Sequence, residues 1–149
     1  MKPMPLHRFF QMTPANRRYL LKTAALMMFI KLAIRIVPFK RLYAVLSRLA
    51  QAPAGKRPDP GNLKRALKAI DIAGRYTPLD STCLIQALTG QVLLARAGIP
   101  ADFQIGVVHG NAGQVEAHAW VVHQGKVVIG DRQDLSRYRV FTNLQESLG

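Results

Sequence analysis

Three runs of strand composition follow one another in the second half of the chain: Asp102 to Val108 (DFQIGVV), Glu116 to His123 (EAHAWVVH) and Lys126 to Asp131 (KVVIGD), with turn signals between them. Just before them, Leu84, Ile85, Leu88, Val92 and Ala95 recur at helical spacing. Asp80 or Ser81 can cap that helix, and Gly98 followed by Pro100 closes it. Cys83 then falls in its first turn. Arg137 to Thr142 adds a weaker fourth strand. One helix followed by an antiparallel sheet makes the fold class α+β.

The first half reads differently. Thr13-Pro14 is an N-cap signal with proline in the first turn, opening a helix that runs to about Val37, where Pro38 stops it. Leu26 to Ile30 is apolar all round, so this segment must be buried or docked. A second helix near Phe39 to Ala50 carries Leu42, Val45, Leu46 and Leu49 on one face. Gln51 to Gly61 (QAPAGKRPDPG) is a loop, and a third helix with Leu63, Ala66, Leu67 and Ile70 on one stripe ends near Gly74. The expected organisation is a basic helical region over residues 1–75 and a helix-and-sheet core over 76–149, joined as one compact unit.

Charge follows the same division. Of the 21 Lys and Arg residues, 16 lie in residues 1–75 beside two carboxylates, and the remaining five face six carboxylates. A basic half suggests an anionic partner or simply a solvated surface. With 149 residues and 49% hydrophobic composition the chain is globular and large enough to bury a core without crosslinks. Its single cysteine excludes a disulfide framework and multi-cysteine zinc sites. Lys22, Lys31 and Arg35 break the apolar stretch too often for a spanning helix or a signal peptide, so a cytoplasmic, reducing setting is expected.

Chemistry converges on three residues. If Gln124-Gly125 is a two-residue hairpin turn, paired residues have numbers summing to 249, which sets His118 opposite Asp131 on one face of the sheet. Trp120 would then pair with Ile129 and Val122 with Val127, placing the dyad at the end of a core-facing surface. At a helix N-terminus the thiol of Cys83 is favoured as thiolate, and the same N–H groups can hold an oxyanion. A nucleophile, an imidazole that shuttles its proton and a carboxylate that orients the imidazole form the set for acyl transfer through a thioester. The backbone N–H of Cys83 is one oxyanion donor; the second stays open, Gln86 being one possibility. His118 and His123, five positions apart, point to opposite faces of a strand and make a poor metal pair, and no phosphate-cradling motif occurs. Neither metal nor cofactor is expected.

Cys83-Leu84, LLARAGI at 93–99, Ile105-Gly106-Val107, AHAW at 117–120 and Gly130-Asp131 resemble, in order and spacing, the transglutaminase-like cysteine peptidase of lasso-peptide biosynthesis, the B-type leader peptidase. The likeness covers residues 76–131 strongly and 29–49 more loosely. It implies a papain- or transglutaminase-like core in which Cys83 is the nucleophile, His118 the general base and acid, and Asp131 the orienting carboxylate. It also implies a function: removing the leader of a ribosomally made precursor peptide so that an ATP-dependent lasso cyclase can close the new N-terminus. Members occur fused to a small leader-recognition domain or split from it, and the helical first half of this chain is similar to the split form, which works with a separate leader-recognition protein. The basic helices would dock one of these partners or make peripheral membrane contact.

Two other readings use the same sequence. A transglutaminase or acyltransferase would employ the same triad, with an amine instead of water resolving the thioester. A non-catalytic basic module would bind nucleic acid or an anionic membrane, with salt-sensitive affinity indifferent to Cys83.

Overall fold

The computed structural model describes residues 6–51, 55, 57, 59–76 and 83–140. Among the described residues five α-helices precede a four-stranded sheet. A short helix α1 (Leu6–Gln11), absent from the sequence reading, leads into α2 (Pro14–Ile36). Thr13 Oγ1 accepts the backbone N–H of Asn16 at 3.3 Å, and Val37 turns extended ahead of Pro38, so both ends of α2 lie where cap and proline dictate. Helix α3 (Phe39–Leu49) follows at once, and α4 (Pro60–Tyr76) runs one half-turn beyond its expected end at Gly74. Helix α5 (Cys83–Arg96) closes at Gly98, whose φ of 74° lets the Ile99 N–H return to the Leu94 carbonyl at 2.9 Å. The expected cap at Asp80 or Ser81 lies outside the described residues.

The strands β1 (Asp102–His109), β2 (Val115–His123), β3 (Lys126–Ile129) and β4 (Arg139–Val140) form an antiparallel sheet in the order β3-β2-β1-β4. The α+β class expected from the sequence is what the chain adopts. Met27 and Ile30 of α2, Ala69 and Ile70 of α4, Leu88 and Val92 of α5, and Ala119, Val121 and Ile129 of the sheet share one core. Helix α5 is thus sandwiched between the other helices and the sheet. It packs against β3 at Gly90, where any Cβ would run into the Ile129 side chain.

Leu88 touches no solvent, so Leu88→Ala leaves a cavity in the core that α5 shares with its neighbours. The expected cost is about 3 kcal/mol, read as a lower denaturant midpoint with an unchanged slope.

Candidate active site

The hairpin forms as its turn residues require: Gln124 and Gly125 both take positive φ, 50° and 75°, the pattern of a type I′ turn. Val122 pairs with Val127 and His123 with Lys126, as a two-residue turn dictates. One residue further the ladder slips. A bulge makes Val121, not Trp120, the partner of Ile129. The strand then ends, and Gly130 at φ 77° turns the chain away. His118 and Asp131 are therefore not ladder partners, and Asp131 is exposed.

His118 is nonetheless tied to this corner. Its Nε2 lies 2.7 Å from the carbonyl oxygen of Gly130. A carbonyl can only accept, so Nε2 carries the hydrogen and donates it; in the neutral ring Nδ1 is left as the basic nitrogen. A backbone oxygen next to Asp131 thus holds the imidazole that the sequence reading expected the Asp131 carboxylate to orient.

Alternation along β2 sets which face meets the core, and the extra residue in β3 brings Ile129 to the same face as Val121. Ala119, Val121 and Ile129 pack toward α5, while His118 and Trp120 point to the other face. The expected core-facing dyad is corrected accordingly. On that second face His118 is buried between aromatic rings: Trp120 stacks on it at 5.9 Å between centroids and 22°, and Tyr138 lies at 5.7 Å. Gly106, opposite His118 on β1, makes room for this cluster. A Cβ there would stand 2.9 Å from the Trp120 ring and 3.1 Å from Tyr138 Cβ.

Behind the rings lies a polar clamp. The Tyr138 hydroxyl donates to Glu116 Oε1 at 3.0 Å, and Arg132 donates to the same oxygen at 2.9 Å while its guanidinium sits over the Tyr138 ring. Arg132 also pairs with Asp134 at 3.2 Å. The clamp ties the residue after Asp131 to the residue two before His118.

Cys83 lies on α5, half-buried, with its thiol free of any disulfide. Among the described residues no hydrogen bond joins its sulfur to His118 or Asp131. His123, on the other face of β2 from His118, hydrogen-bonds through Nδ1 to the Pro100 carbonyl at 2.6 Å.

A comparison with protein-family models matches residues 26–143 to the transglutaminase-like superfamily. The chain belongs to that superfamily. The match covers most of the chain, from the middle of α2 onward, and gives it a fold of the cysteine-peptidase and acyltransferase kind. No curated protein and no solved structure matches it closely.

In this transglutaminase-like chain the sequence reading gave no site role to Glu116, Arg132 or Tyr138. Two signals were available. Glu116 shares the face of His118 by simple alternation, and an isolated glycine in a strand, Gly106, marks a close approach. Tyr138 could be placed only once β4 was known to lie beside β1.

The clamp holds the Glu116 carboxyl below its ordinary 4.5, chiefly through the Arg132 hydrogen bond and then through Tyr138. Burial, followed by the bond to Glu116, raises the Tyr138 phenol above its ordinary 10.0. A carboxyl depressed on folding stabilises the protein above its ordinary value, and that contribution is lost as pH falls through the lowered one. Trp120, the single tryptophan, has its ring 6.3 Å from that of Tyr138 and reports the event. Acid titration of its emission should show a step below pH 4.5 that Glu116→Gln removes.

Proposed function

We propose that this chain is a cysteine peptidase that removes the leader from a lasso-peptide precursor, with Cys83 as nucleophile, His118 as general base and acid, and Asp131 as the carboxylate that supports the imidazolium. Nδ1 of His118 takes the thiol proton, and the thiolate adds to the scissile carbonyl. The imidazolium returns the proton to the departing amine, leaving a thioester. Water, deprotonated by the same nitrogen, then releases the leader as a carboxylate and restores the thiol.

The observation that carries this reading is the hydrogen bond from His118 to Gly130, because it leaves Nδ1 of a buried imidazole as the base. Membership of the superfamily supports the chemical class, and the half-buried, unbridged thiol of Cys83 on α5 supports the nucleophile. The order of Cys83, AHAW and Gly130-Asp131 supports the lasso precursor as substrate. A separate leader-recognition protein would deliver the precursor, and an ATP-dependent cyclase would consume the product.

Reconstitution tests this. Purified chain, precursor and leader-recognition protein are combined with each omitted in turn, and products are weighed by mass spectrometry. A leader and a core that together exceed the precursor by one water support peptidase action. Addition of an amine would transfer the chain to the acyltransferases, and an intact precursor in the complete mixture would refute the proposal.

A further inference from the structure

Helix α2 has two apolar faces, and the fold uses one of them. Leu20, Met27, Ile30 and Ala33 are buried in the shared core. On the other side Leu21, Phe29, Leu32 and Ile36 are 59, 51, 52 and 81% exposed. At 100° per residue these four, with exposed Ala25 among them, fall within an arc of about 80° and form a straight ridge roughly 22 Å long. Scattered exposed hydrophobics are ordinary, but a continuous ridge on one helix marks a contact surface.

Its borders carry one sign of charge. Arg17 and Arg35 lie along one flank, Lys22 along the other and Arg18 at the N-terminal end, and α2 contains no carboxylate. Residues 1–75 contain only Asp59 and Asp71, and Asp71 is already paired with Arg75 at 3.0 Å. Among the described residues no helix is long and apolar enough to cross a membrane. A convex apolar ridge with cationic borders suits the boundary between headgroups and acyl chains: the apolar side chains sink below the headgroups and the cations meet lipid phosphates.

We propose that the outer face of α2 docks the chain in the plane of an anionic lipid bilayer. The proposal goes beyond the peptidase reading and does not depend on it. A convex surface with cations on both sides fits a bilayer better than the groove of a protein partner.

The test is co-sedimentation of the full chain with phosphatidylglycerol vesicles and with phosphatidylcholine vesicles, at low and high salt. Binding to phosphatidylglycerol should be at least about tenfold tighter and should weaken with salt. Leu32→Ser with Ile36→Ser should lower that partition roughly tenfold or more, and Arg18→Gln with Lys22→Gln should lower it by a similar factor on the anionic vesicles alone. Both pairs are exposed, and unchanged far-ultraviolet circular dichroism will show that the fold is kept. The proposal is overturned if wild type ignores phosphatidylglycerol vesicles or if the serine variant binds them as wild type does. It is also overturned if light scattering shows a wild-type dimer that the serine variant dissolves, since the ridge would then be a contact between copies.

Discussion

Cys83→Ala should reduce precursor cleavage by about four orders of magnitude or more while leaving the denaturation midpoint within about 1 kcal/mol of wild type. The asymmetry follows from the position of the residue. Cys83 is half-buried on α5, so losing the sulfur costs little packing, whereas the thioester route has no other nucleophile in a chain with one cysteine. His118→Ala should match it in rate, because nucleophile and base act as a unit and their losses do not add. The measurement is single-turnover cleavage of the precursor, with the double variant beside both singles. A Cys83→Ala protein that cleaves at the wild-type rate eliminates the covalent mechanism. Alkylation of Cys83 across a pH series gives a second readout: its rate at neutral pH should fall when His118 is replaced.

Gly130→Ala should be the most damaging single-methyl change near the site. Gly130 has φ 77°, where a side chain costs about 1–2 kcal/mol, and its Cβ would stand 2.6 Å from the Ala119 carbonyl oxygen. Relief of that contact has to move the chain off β2, and with it the carbonyl that holds Nε2 of His118. We expect a loss of about 2–4 kcal/mol in stability, and roughly a hundredfold in single-turnover rate under conditions where the variant remains folded. Gly125→Ala is the control. It has a similar φ of 75° but nothing within 4 Å of its Cβ, so it should pay the backbone cost alone and retain activity. Equal stability losses for the two would mean that the contact with Ala119 is unimportant. Equal rates would mean that the Gly130 carbonyl does not orient the imidazole.

Much of this architecture is legible in the residues themselves. Thr13-Pro14 and Pro38 bracket α2, and Gly98 ends α5, because caps and imino acids act on the backbone within a turn of where they stand. Gln124-Gly125 sets a two-residue hairpin for the same reason, and the two pairs next to it are in the register the turn demands. The pairing of His118 with Asp131 failed because register counted outward from a turn assumes an unbroken ladder. The bulge puts one extra residue, Val128, into β3 between the partners of Val122 and Val121, and it leaves no mark in the apolar run KVVI, where either face of β3 could be buried. What settles the slip is the demand of α5 for Val121 and Ile129 on its side of the sheet, a contact between segments distant in sequence.

The amino-acid order by itself determined the helices, the hairpin and the residue types able to perform acyl transfer, since each depends on interactions reaching only a few positions along the backbone. Folding in three dimensions decided that a peptide carbonyl holds the imidazole, that Glu116, Arg132 and Tyr138 clamp the corner behind it, and that one apolar side of α2 stays in solvent. Those outcomes depend on which surfaces meet once every segment competes for the same interior, and no local pattern encodes the result of that competition.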